Sequence, residues 1–96
     1  MALATAVLTC KGDLVVSYNE AEELVIYDMQ AKRVISRLRK PSNALLLEEI
    51  LEDFDPWVIF SEDIPADIVD AIRDMGIKVQ LVKGYTVEGL ISELFV

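Results

Sequence analysis

The chain opens on a run of small apolar residues, Leu3–Thr9, without polar alternation, as expected of a central strand covered on both faces. Lys11-Gly12-Asp13 is a turn signal, after which Leu14-Val15-Val16-Ser17 resumes extended character. Two β-rich runs follow, Glu23–Met29 and Arg33–Arg39, and the short Gln30-Ala31-Lys32 between them predicts an antiparallel hairpin. The period then lengthens. Leu47, Ile50, Leu51 and Phe54 share one helical face behind a cap at Ser42 or Asn43, and Asp55-Pro56 ends that helix. Trp57-Val58-Ile59-Phe60 reads as an apolar strand buried on both sides. Ile64, Ile68, Ile72 and Met75 mark one face of a second helix, with Gly76 where a left-handed C-terminal cap is wanted. Ile77–Val82 alternates, with Ile77, Val79 and Leu81 inward and Lys78 and Gln80 outward. Thr86 caps a last helix carrying Val87, Leu90, Ile91 and Leu94.

The resulting order, β-β-β-α-β-α-β-α, predicts a single α/β domain over residues 1–96. Its mixed five-stranded sheet is expected in the order 3-2-1-4-5, with strand 2 antiparallel and helices on both faces. This is a three-layer, ribonuclease H-like topology trimmed to its minimum.

Composition narrows the chemistry. With 53% hydrophobic residues the chain has the material for a real core and is not disordered. It contains no histidine and one cysteine, Cys10, which removes the commonest general base and any cysteine cluster. A single cysteine forms no internal disulfide, and the apolar N-terminal run lacks basic flanking residues and is too short to span a bilayer. Cytoplasmic residence and no membrane association are therefore expected. The net charge of −8 repels phosphate backbones and argues against nucleic acid. Lys32, Arg33, Arg37, Arg39 and Lys40 nevertheless hold five of the nine cations within one short stretch. They read as a solvated strand face, with a patch for an acidic partner as the sharper option.

Particular residues carry a resemblance. Ser17-Tyr18-Asn19-Glu20-Ala21 precedes a strand that ends in Asp28, Asp70–Val79 contains a helix leading into Gly76-Ile77-Lys78-Val79, and Gly84-Tyr85-Thr86-Val87-Glu88-Gly89 starts the last helix. In this arrangement the chain resembles the dinitrogenase iron-molybdenum cofactor biosynthesis family over nearly its whole length, Leu3 to Leu94. The resemblance implies a non-catalytic domain that carries an iron-molybdenum cofactor or a related metal–sulfur cluster in loops at the carboxyl ends of the central strands, where open α/β sheets bind ligands. Those loops here are Cys10–Asp13, Ser17–Glu20 and Ser61–Ile64. The candidate ligand-binding residues are accordingly Cys10, Ser17, Tyr18, Asn19, Ser61, Glu62 and Asp63, with Cys10 as the candidate metal ligand.

The chain also departs from that family. The family's Phe-Gly-Arg turn is Tyr18-Asn19-Glu20, its long loop after the third strand shrinks to Lys40–Asn43, and its glycine-rich turn becomes Ser61-Glu62-Asp63. Carboxylates at that helix start satisfy the amides that an anionic cluster would otherwise use. Against a ligand role, Cys10 reads more readily as a buried small hydrophobe. Asp28 with Glu62 and Asp63 would be the acids of a magnesium nuclease, but the central strand carries no acid. Asp67, Asp70 and Asp74 read as a solvated helix face. No histidine activates a serine, and neither a Ser-x-x-Lys nor a phosphate-loop pattern is present, so no enzyme is expected. The alternative to a cluster carrier is a diverged, metal-free interaction or regulatory module that contacts a protein partner or a second copy. Tyr18, Trp57, Tyr85 and Phe95-Val96 could supply its apolar patch, although Trp57 also reads as core.

Overall fold

The computed structural model describes residues 5–94. Its elements are β1 (Thr5–Lys11), β2 (Leu14–Val15), β3 (Glu23–Asp28), β4 (Arg33–Arg39), α1 (Ala44–Phe54), β5 (Val58–Ser61), α2 (Ala66–Asp74), β6 (Lys78–Leu81) and α3 (Val87–Leu94). The sheet runs β4-β3-β1-β5-β6, and the two-residue β2 folds back on the end of β1. β3 is antiparallel to both its neighbours, whereas β1, β5 and β6 are parallel. With β2 counted apart, this is the predicted 3-2-1-4-5 order, with the predicted antiparallel strand.

Alternation along β1 divides the core. Val7 faces Leu24, Ile26 and Ile59 and is covered by Leu47 and Leu51 of α1 and Ile68 and Ile72 of α2. Ala6, Leu8 and Cys10 face the other way and lie with Val25, Tyr27 and Phe60 beneath Val87 and Leu90 of α3. Helices therefore cover both faces, two on one side and one on the other. Among the described residues no helix is long and apolar enough to cross a membrane.

The helix ends follow the sequence signals. The Asn43 carboxamide accepts the Leu46 N–H at 2.9 Å, so Asn43 and not Ser42 is the α1 cap. Asp55 adopts the left-handed conformation (φ 45°, ψ 56°), and its N–H returns to the Leu51 carbonyl before Pro56 prevents continuation. After α2, Gly76 takes φ 80°, with its N–H on Arg73 and that of Ile77 on Ile72. Thr86 Oγ1 accepts the Gly89 N–H at 2.9 Å. A Cβ at Gly89 would sit 2.9 Å from that oxygen, so glycine permits this cap.

Several expectations change. Trp57 precedes β5 and is 62% exposed, so it is not core. Its backbone still joins the ladder, donating to Thr5 and accepting from Lys78, while the side chain stands at the sheet rim. Leu81 is 53% exposed because β6 is an edge strand, and only Ile77 and Val79 reach the core on the α2 side. Ile64 stands before α2 but still packs into the core. β3 ends at Asp28, short of the Met29 expected from sequence, because the Asp28 carboxylate accepts the N–H groups of Gln30 and Ala31 and turns the chain. Leu3, Ala4, Phe95 and Val96 lie outside the described residues, as does the side chain of Leu94.

Leu51 is fully buried between α1 and the sheet. Leu51→Ala is expected to lower the unfolding free energy by about 2–5 kcal/mol, measured by urea titration with an unchanged slope.

Candidate functional site

At the carboxyl ends of β1 and β5 the loop after β2 meets the loop after β5. β1 presents Thr9 on the α1/α2 side, and β5 presents Ser61 beside it. The Thr9 hydroxyl lies 2.7 Å from both the Val16 carbonyl and Ser61 Oγ. Ser61 Oγ lies 3.0 Å from the Asp63 carbonyl and 3.2 Å from that of Val16. Two hydroxyl protons thus serve a closed set of acceptors. The Tyr18 N–H donates to the Asp63 carbonyl at 2.7 Å, and the Glu62 N–H donates to Val16. The loop Ser17–Asn19 and the loop Ser61–Asp63 therefore meet, and backbone groups of Val16 and Tyr18 are taken up by those of Glu62 and Asp63.

Lys40 completes this corner. Its ammonium donates to the carbonyls of Tyr18 at 2.7 Å and Asn19 at 3.3 Å, and lies 5.0 Å from the centre of the Tyr18 ring. Tyr18 is 6% exposed, so it belongs to the core and not to a surface patch. Burial raises the pKa of its hydroxyl. A shallow cleft of about 480 Å³ adjoins the corner, lined by Tyr18, Lys40, Ser42, Asn43 and Asp67 among others. Lys40 was legible only as part of a basic run. The proline that follows it, which bends the chain off β4, was the available signal.

Cys10 does not join these loops. It sits at the end of β1 on the opposite, α3 face and is fully buried, with its thiol donating to the Leu8 carbonyl at 3.4 Å. Burial pushes its pKa up to about 12, opposed by Arg37 and reinforced by Glu23. A metal–sulfur cluster requires accessible thiolates, and the single thiol here is protonated, enclosed and turned away. Among the described residues no three His, Cys, Asp or Glu side chains gather as a ligand set. The residues present do not fit a cluster.

The magnesium arrangement fails on distance. Asp28 pairs with Thr5 at one end of β1, whereas Ser61 stands level with Thr9 at the other. Four residues of strand separate the levels by about 13 Å, so Asp28 shares no ion with Glu62 and Asp63. The Asp28 carboxylate is already occupied by its turn, and that of Glu62 accepts the Gly84 N–H. Asp67, Asp70 and Asp74 are exposed, as a solvated face requires.

Two of the proposed patch residues meet elsewhere. Trp57 and Tyr85, with Met29 and Phe60, line a groove of about 660 Å³ on the α3 side of β5 and β6. Glu93 raises the pKa of the Tyr85 hydroxyl, mainly by hydrogen bonding to it and secondarily by its charge.

No protein-family model matches the chain, and no curated protein matches it in sequence. Solved structures do match in shape. A Thermotoga protein provisionally assigned as NifB, of the DUF35 family, superposes with a TM-score of 0.73 at 16% identity, over 94% of this chain and 85% of that one. A Methanococcus jannaschii protein provisionally assigned as a dinitrogenase gives 0.66 at 15% identity, over 99% and 89%. The protein PH0822 gives 0.72 at 12% identity, over 95% and 89%. At these identities the likeness establishes a shared fold.

The Cys10 geometry has a pH consequence. Because the folded state holds the thiol proton to about pH 12 whereas the unfolded chain releases it near 9, stability falls as pH rises above 9. Cys10→Ala is expected to weaken this fall between pH 9 and 10, read by urea titration, and the native thiol is expected to resist iodoacetamide at pH 8 until the chain is unfolded.

Proposed function

We propose that this chain is a non-catalytic binding domain, built on the fold seen in the NifB-type and dinitrogenase-assigned proteins, that works as a regulatory or interaction module without a resident metal–sulfur cluster. The observation that carries this reading is the closure of the strand-end loops. Thr9, Ser61, Val16 and Asp63 consume one another's hydrogen bonds, and Cys10 is buried on the other face. A cluster entering there would displace a satisfied polar corner and meet Glu62 and Asp63 without gaining a thiolate.

The absence of catalysis belongs to the same reading. Histidine is missing from the sequence, and no serine–base pair or phosphate-cradling loop replaces it. Function then resides in reversible binding, with the cytoplasm as the expected compartment. An iron-molybdenum or related cluster as cargo is the competing view, supported by the fold likeness alone.

Anaerobic reconstitution with iron, sulfide and molybdate decides between them. The expected result is a colourless protein with metal well below one equivalent after desalting. A stoichiometric chromophore that disappears in Cys10→Ala would overturn the reading.

A further inference from the structure

The two faces of the sheet are covered unequally. On the α3 side, Val87 and Leu90 pack over residues of β1 and β3 and against Phe60 of β5. Beyond them a groove is floored by the half-buried Val58 and the buried Phe60 of β5 and edged by the exposed Lys78 and Gln80 of β6 and, just past the strand, Val82. Two adjacent strands span roughly 10 Å, the width of the one helix that would complete this layer. The space is the 660 Å³ groove. Its volume falls within the roughly 300–1,000 Å³ of small-molecule pockets.

Its lining is chemically specific. Phe60 and the two valines contribute an apolar surface, and Trp57 and Tyr85 contribute aromatic rings. Tyr85 stands two residues before α3. The polar groups are Lys78 and Gln80, two residues apart on β6 and so on one face. Lys78 is the only charged residue lining the groove, and among the described residues it forms no ion pair. A cation beside aromatic walls selects an anion with an apolar body. A second copy is a poor occupant, because a self-complementary contact between two such grooves offers Lys78 no carboxylate and brings together two chains of charge −8.

We propose that this groove is a binding site for a small organic anion with a flat apolar body, such as an aromatic carboxylate or sulfonate. Its rings lie among Trp57, Tyr85 and Phe60, and its acid group meets the Lys78 ammonium with the Gln80 amide beside it. The site is separate from the strand-end loops, and the proposal rests on the reading above only in taking the chain as a binding domain.

The test uses two dyes of one shape, the anion anilinonaphthalene sulfonate and the uncharged phenylnaphthylamine, titrated into the whole chain. Emission of the directly excited dye reports occupancy in every variant, and energy transfer from Trp57, the only tryptophan, places the dye beside it in the unsubstituted chain. One dye per chain is expected, with the sulfonate bound about tenfold more tightly than the neutral dye. Lys78→Met should abolish that preference and leave the neutral dye bound, and Trp57→Ala should weaken both, with the circular dichroism spectrum unchanged. Absence of saturable binding, or binding indifferent to both substitutions, overturns the proposal. So does a stable dimer in which Trp57 is already shielded and the dyes are excluded. A cluster formed in the reconstitution alongside dye binding removes the metal-free reading and leaves this site standing, and the reverse pair of results removes only the site.

Discussion

β1 is the strand against which the rest of the molecule is assembled. Thr5 to Cys10 are all buried, with β3 antiparallel on one edge and β5 parallel on the other. A strand so enclosed leaves no side chain for solvent, and its only hydroxyls must find partners inside. Thr5 donates to the Phe54 carbonyl at the end of α1, and Thr9 to the corner formed with Ser61. These two bonds tie the first helix and the β5 loop to the central strand. Among the described residues no buried side-chain nitrogen or oxygen lacks a partner.

The same enclosure decides the chemistry available at the strand ends. Alternation sends Thr9 to one side and Cys10 to the other, so the hydroxyl enters the loop corner and the thiol enters the α3 core. A one-residue slip would exchange them, but it would also send Val7 and Leu8 each into the other's core and misplace every side chain paired with them. The position of Cys10 is thus a by-product of the register that buries the core. Its protonation follows from burial.

Unequal helix cover leaves an apolar groove on the α3 side. α1 and α2 together span the sheet on their side, while α3 alone covers Phe60 of β5 and leaves Lys78 and Gln80 of β6 exposed on its own. An uncovered apolar strand face in water is unfavourable. Here Tyr85, just before α3, and the exposed Trp57 stand at its edge. The opposite sheet edge manages its exposure differently. β4 is lined with Arg33, Arg37 and Arg39 and carries a register irregularity opposite Ile26/Tyr27, features that discourage a further strand from pairing.

Much of this was legible in the chain itself. The hydrophobic run of β1, the hairpin spacing of β3 and β4, and the signals at Asn43, Gly76 and Thr86 determined the elements, because local periodicity and capping act through neighbouring residues. The order of strands followed from those elements, since hairpins and helical crossovers permit few arrangements. Tertiary structure alone decided how each chemically capable residue is used. Trp57 reads as strand core but stands at a rim, Lys40 reads as part of a charged run but closes the Tyr18 corner, and Asp28 and Glu62 read as one acidic set but lie at opposite ends of the sheet. Absent histidine told from composition which chemistry was unavailable. Which face receives the lone thiol, and which strands remain bare, depends on how separate segments stack, and no local pattern encodes that.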